Sequence, residues 1–194
     1  MSIKKHYFLP QNGFTLIELV VVIGILAVLS VFVLATLNPL QQFKKSRDGE
    51  RKSDLAQIQR ALEQYYQDHG SYPKSNATYN ITDLNGNTVA WGGASGWSPY
   101  MNLVPKDPDS TRTYIYYASG SIPQSYKLYA NLEVGPDDPQ TCKATVTNCI
   151  NNPNNVTYCT CGGVPAGVTC GIGSSTYPCN YGVSSPNTDP DSAL

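Results

Sequence analysis

Residues 13–37 read Gly13-Phe14-Thr15-Leu16-Ile17-Glu18-Leu19-Val20-Val21-Val22-Ile23-Gly24-Ile25-Leu26-Ala27-Val28-Leu29-Ser30-Val31-Phe32-Val33-Leu34-Ala35-Thr36-Leu37. The 24 residues from Phe14 to Leu37 carry a single charge, Glu18. A helix of that length spans about 36 Å, against a hydrocarbon core of about 30 Å. A cleaved secretory signal has a shorter apolar core, about 7–15 residues, closed by small residues. This run is longer and lacks that ending. A plain membrane anchor accounts for the length but not for Glu18. A carboxylate inside a spanning helix is costly and by default marks a function.

On the N-terminal side lies a short polar stretch, residues 1–13, that carries Lys4 and Lys5 and ends in Gly13. A basic leader, a Gly, an aromatic residue and a carboxylate five residues after the Gly, all opening an apolar run, resemble the class III signal of type IV pilins and type II secretion pseudopilins. The resemblance covers residues 1–70 well and the remainder in outline. It implies that a prepilin peptidase cuts between Gly13 and Phe14 on the cytoplasmic side and leaves the apolar helix attached. Gly suits that position because a missing side chain lets a protease approach the backbone. Phe14 then becomes the N-terminus and is expected to be N-methylated. Removal of Lys4 and Lys5 takes 13 basic residues to 11, against 14 acidic ones, so the net charge moves from −1 to −3 before the new amine is counted.

The resemblance also gives Glu18 a partner. A carboxylate among apolar helices is expensive when unpaired and largely compensated when it faces an ammonium. The Phe14 amine of a neighbouring subunit supplies that charge in a filament, so Phe14 and Glu18 are the expected assembly residues and Glu18 sets the axial register. Phe14 and Glu18 are also four residues apart, on one helix face, and can pair within a free subunit.

C-terminal to the apolar run, Asn38-Pro39 breaks the pattern, since an internal Pro removes a helix hydrogen bond. From Lys44 to His69 the sequence returns to a helical period, with Leu55, Ile58, Ala61, Leu62 and Tyr65 on one side. Gly70 fits a C-terminal cap and Pro73 prevents resumption. Lys44, Lys45, Arg47, Arg51 and Lys52 read as a solvated cluster or one facing lipid head groups, with DNA contact on a filament surface as the alternative. These five charges against the two of the leader favour an N-out orientation by the positive-inside rule. The resemblance requires N-in.

Residues 71–110 are rich in Gly, Ser and Asn and hold Trp91 and Trp97; so long a stretch calls for some packed local structure. Leu103-Val104-Pro105-Lys106-Asp107-Pro108 resembles the Pro-Lys-Asp-Pro element before the sheet in major pseudopilins. Thr111–Ala118 is dense in β-formers. Ser125–Val134 alternates, with Tyr126, Leu128, Ala130, Leu132 and Val134 inward and Lys127, Tyr129, Asn131 and Glu133 outward, the pattern of a half-buried antiparallel strand. The Leu55–Tyr65 stripe is the surface available to cover it.

Residues 135–194 draw 34 of their 60 positions from Gly, Pro, Asn, Ser and Thr, too little apolar surface for a core. All six cysteines lie here: Cys142, Cys149, Cys159, Cys161, Cys170 and Cys179. A disulfide framework is expected, as befits a head outside the cytoplasm. Zinc is the rival, but no Cys-x-x-Cys pair is present. Six cysteines admit 15 pairings, and Cys159-Thr160-Cys161 disfavours a bridge between its own two sulfurs.

The low charged fraction, 14%, and near-zero net charge exclude a strongly basic nucleic-acid binder and a disordered polyelectrolyte. No catalytic constellation appears, so no enzyme and no cofactor are expected. The resemblance also implies calcium in an acidic loop after the sheet, where Glu133, Asp137 and Asp138 stand; the residues themselves read first as a solvated turn.

The expected fold is α+β and pilin-like: a hydrophobic N-terminal helical spine, a small antiparallel sheet as head, and a loop-rich C-terminal region containing the cysteines. The segments are leader 1–13, apolar helix 14–37, amphipathic helix 38–70, head 71–134 and Cys-rich region 135–194. The expected function is the subunit of a type IV pilus-like filament, a homo-oligomer assembled from the inner membrane by prepilin peptidase and a pilus or secretion machinery. It is expected as a single-pass inner-membrane protein first and a surface or envelope filament afterwards. The alternatives are a major pseudopilin of type II secretion and, from another class, a membrane-anchored binding module.

Overall fold

The structure is a computed structural model and describes residues 13–36, 38–93, 96–135, 138–142, 149–151 and 157–192. The chain divides into two compact units, residues 1–40 and 41–194.

The first unit holds helix α1, Leu16–Thr36. Its window Leu16–Val33 has a mean hydropathy of 3.0, and none of it is buried within the chain. By length and composition it can cross a membrane. Ser30 is the polar interruption, and its hydroxyl donates to the Leu26 carbonyl at 2.7 Å. That intrahelical bond satisfies the hydroxyl without water.

Helix α2 spans Pro39–His69. Pro39 stands at its first position, where a missing N–H costs nothing. Gly70 ends it with φ +69°, the left-handed conformation Gly adopts at a helix C-terminus. One stripe of α2 is buried: Asp48, Arg51, Asp54, Leu55, Ile58, Ala61, Leu62 and Tyr65. The spacing of three and four puts them on one face. Its C-terminal half is apolar, as the sequence pattern predicts. Its N-terminal half is ionic, which the pattern does not show.

The sheet of the head is β3 (Ile115–Tyr117), β4 (Lys127–Ala130) and β7 (Tyr181–Ser184), in the order β3-β4-β7, all antiparallel. Tyr114, Tyr116, Tyr126, Leu128 and Ala130 pack with Leu55, Ile58, Leu62 and Tyr65 in one core. Among the described residues there are two further antiparallel strand pairs: β1 (Ile81–Thr82) with β2 (Thr88–Val89), and β5 (Cys149–Asn151) with β6 (Thr157–Cys159).

Three expectations about the head need correction. The strands are shorter than the β-rich runs that contain them. More important, β4 is not half-buried: all four of its residues are buried, as is Asn131 just beyond it. Nor is the C-terminal region coreless. It supplies β7, and Cys161, Cys170 and Cys179 pack with Ile115 and Tyr129 in a second core on the other face of the sheet. The polar members of β4 survive there because they are satisfied. Lys127 Nζ donates to the Ser192 carbonyl at 2.6 Å, and Tyr129 Oη to the Pro190 carbonyl at 3.0 Å. Gly182 faces Tyr129 across the β4–β7 ladder. A Cβ at Gly182 would lie 2.7 Å from the Tyr129 ring, so only glycine admits this packing.

Candidate assembly site

At the start of α1, Glu18 is held by Thr15. The Thr15 backbone N–H donates to Glu18 Oε2 at 2.8 Å and the Thr15 hydroxyl to the same oxygen at 2.7 Å. In return the Glu18 N–H donates to Thr15 Oγ1 at 3.3 Å. This is a capping box, in which an N-terminal Thr and the Glu three residues later satisfy each other's backbone donors. Both residues are exposed on the isolated chain. The signal was in the sequence as Thr15-Leu16-Ile17-Glu18, Thr-x-x-Glu ahead of an apolar run. The expected intrachain partner, the Phe14 amine, comes into being only on cleavage. Before cleavage the Phe14 nitrogen is a neutral amide, and Thr15 does the holding. Gly13 and Phe14 are exposed immediately N-terminal to the helix.

In the second unit the basic cluster of α2 divides: Lys45 is exposed, as expected for a solvated cluster, whereas Arg47, Arg51 and Lys52 are engaged by carboxylates of the head. Arg51 is fully buried. Its Nε and Nη2 donate to the two carboxylate oxygens of Asp107 at 2.8 and 2.7 Å. Its Nη1 donates to Asp48 Oδ1 at 2.7 Å and to Glu133 Oε1 at 2.9 Å. Arg47 forks onto both oxygens of Glu133. Lys52 pairs with Asp138 and with Gln140. Asp48 also accepts the backbone N–H groups of Glu133 and Val134, each at 2.9 Å. Four residues of one helix, Arg47, Asp48, Arg51 and Lys52, thus fix the loop after β4, and Arg51 ties helix and loop to the Pro-Lys-Asp-Pro turn. Burial by itself raises the Glu133 carboxyl, but the hydrogen bonds from Arg47 and Arg51 outweigh it and pull the group down to about 2. A guanidinium this enclosed cannot contact DNA or lipid, so the surface reading fails for Arg51.

Next along the helix, Asp54 accepts a hydrogen bond from Tyr114 Oη at 2.7 Å. Burial raises its carboxyl above the usual range, and the Tyr114 bond only partly opposes this.

Among the described residues two disulfides are present, Cys142–Cys161 and Cys170–Cys179, with Cα separations of 5.0 and 5.2 Å. The β5–β6 register sets the backbones of Cys149 and Cys159 opposite each other. Their side chains lie outside the described residues, as does Asp137. Cys142, Cys161 and Asp191 bring potential ligand atoms within 4.8 Å of one another. The two sulfurs are bonded to each other there, so neither is a thiolate able to bind a metal.

The pattern of the family described as type II secretion system (T2SS), protein G, matches residues 38–151, more than half of the chain. The chain belongs to the type II secretion protein G family. The prokaryotic N-terminal methylation motif matches residues 9–34, which brackets Gly13, Phe14 and Glu18. Type II secretion system core protein G of Escherichia coli (strain K12) is 27% identical over 138 residues, covering 71% of this chain and 90% of the relative. No solved structure matches. Membership in the protein G family makes the chain a pilin-like filament subunit, built on the α+β plan read from its sequence. The Pro-Lys-Asp-Pro turn, read earlier as a resemblance, carries in Asp107 the acid that closes on Arg51. Residues 152–194, including β6 and β7, lie beyond the matched family region.

Proposed function

We propose that this chain is a structural subunit of a secretion pseudopilus, cut between Gly13 and Phe14, N-methylated on Phe14 and assembled from the inner membrane through α1. The observation that carries the proposal is the placement of Glu18. It is the only charge in an apolar helix, fixed by Thr15 at the end that cleavage exposes. One carboxylate oxygen, Oε2, accepts both Thr15 donors, which keeps the group at the helix start and oriented. The ammonium of a neighbouring Phe14 then meets a placed carboxylate in water-free surroundings, where the pair is worth more than in water. Prepilin peptidase and a type II secretion machinery are the expected partners, and the chain is read as having no reaction of its own.

Between the pseudopilus and the type IV pilus, the match to protein G favours the pseudopilus. A pilus remains the second reading because the disulfide-bearing segment beyond residue 151 is additional to the matched region and is carried on the head. The deciding experiment combines electron microscopy of sheared filaments with mass spectrometry of the purified subunit. The expected result is a polymer whose subunit begins at a methylated Phe14. A subunit that still begins at Met1, with no polymer, overturns the proposal. Loss of protein secretion on deletion of the gene selects the pseudopilus; loss of surface fibres with normal secretion selects the pilus.

A further inference from the structure

Family resemblance places calcium at an acidic loop after the sheet, and the described residues do not fit that ion. Calcium takes six to eight oxygens. Among the described residues, the loop carboxylates of Glu133 and Asp138 already face donors from the same chain. Both oxygens of Glu133 accept from Arg47, and Oε1 also accepts from Arg51. Asp138 accepts from Lys52 through Oδ2 and from the Gln140 N–H through Oδ1. The Gln140 side-chain oxygen accepts from Lys52 as well. Asp48, which underlies the loop, is taken by Arg51 and by two backbone N–H groups. A divalent ion would have to break charge-assisted bonds to gain these oxygens. It would also enter among cations. Arg47, Arg51 and Lys52 stand at the loop, and Arg112 Nη1 lies 3.9 Å from Glu133 Oε1.

We infer that in this chain Arg47, Arg51 and Lys52 occupy the electrostatic role of a bound cation at the loop after β4, so that the head closes without a divalent metal. All three come from one helix at positions i, i+4 and i+5, so folding of α2 delivers the positive charge to the loop. An ion drawn from solution is replaced by side chains that cannot dissociate. Arg51 is the inner member, buried and shared between Asp48, Asp107 and Glu133. Arg47 and Lys52 are the outer members, partly exposed, and clamp the loop from outside.

The test uses the full mature chain in detergent micelles and follows thermal unfolding by circular dichroism, once with calcium chloride and once with the chelator EGTA. The midpoint is expected to be the same in both. Titration calorimetry with calcium chloride is expected to show no saturable heat. A midpoint lowered by EGTA, or saturable binding of one calcium per chain, overturns the inference. The double variant Arg47→Gln/Lys52→Gln leaves Arg51 and the apolar core in place. Its midpoint in EGTA is expected to fall by about 4 °C or more. An unchanged midpoint there also overturns the inference, because the outer cations would then not be holding the loop.

Discussion

Arg51 and Asp107, 56 positions apart, meet in a two-bonded fork at 2.8 and 2.7 Å, with both side chains wholly buried. A buried ion pair is no guarantee of extra stability over a well-packed apolar pair, but removal of one partner leaves the other charge unpaired in a dry place. Arg51→Met is therefore expected to cost about 3–5 kcal/mol, measured by chemical denaturation of the mature chain. Asp107→Asn keeps the shape and is expected to cost less than Arg51→Met, because Asp48 and Glu133 still face the guanidinium. An Arg51→Met variant as stable as the parent would show that the network contributes nothing.

Glu18→Ala is expected to leave membrane insertion intact and to abolish filaments or reduce them sharply. Membrane fractionation reports the first and electron microscopy the second. Thr15→Ala removes an N-cap, which costs about 1 kcal/mol of helix stability, and frees the Glu18 carboxylate to wander. Its filament yield is expected to fall between those of Glu18→Ala and the parent. Normal filaments from Glu18→Ala would remove the acid from the assembly mechanism.

The acid limb of stability follows from Glu133. Its carboxyl is lowered in the folded head from 4.5 to about 2. A depressed folded value means the stabilisation is complete above the unfolded value and is lost as pH falls through the folded one. The loss is thus expected between about pH 4.5 and pH 2. Asp54 acts in the opposite sense, since its carboxyl is raised in the fold and its protonation at low pH favours the folded state. Glu133→Gln is expected to flatten the fall in unfolding midpoint between pH 5 and pH 2. An equally steep fall in that variant would place the acid sensitivity elsewhere.

Peptide mapping without reduction is expected to find Cys142 linked to Cys161 and Cys170 to Cys179. Cys149 and Cys159 remain to pair with each other, as the strand register allows. Cys170 and Cys179 are fully buried against the outer face of the sheet. Replacing both by Ser is expected to cost about 2–4 kcal/mol, the usual worth of one bridge, read as a shift in denaturation midpoint. Linkage of Cys159 to any cysteine but Cys149 would contradict the register of β5 and β6.

The spine and the apolar half of α2 were legible because their periods and lengths are extreme. Leu55, Ile58, Leu62 and Tyr65 announce a buried stripe by spacing alone. The ionic half was not legible. Asp48, Arg51 and Asp54 look like solvated helix surface until Asp107, Glu133 and Tyr114 arrive from distant segments, and no local pattern encodes such a meeting. The same limit hid the outer core. Alternation along Ser125–Val134 assigns Lys127 and Tyr129 to water because a strand cannot report what lies on its second face. Tyr181–Ser184 has only Tyr181 and Val183 to mark it as a strand, and its pairing with β4 is set by the disulfides around it and by Asn180. The Asn180 side-chain amide bonds both the N–H and the carbonyl of Leu132. The Thr15–Glu18 box differs from these. Its pattern, Thr-x-x-Glu over residues 15–18, is wholly local and legible without knowledge of the fold.

The middle strand of the sheet acquires its second neighbour from residues 181–184, far along the chain from Lys127–Ala130 itself. Export that starts from the membrane helix must therefore bring residues 181–184 across before this strand is paired on both edges. Until then one rim of the sheet stays open to a rival strand. A chaperone or oxidase on the far side of the membrane would find its substrate in that interval.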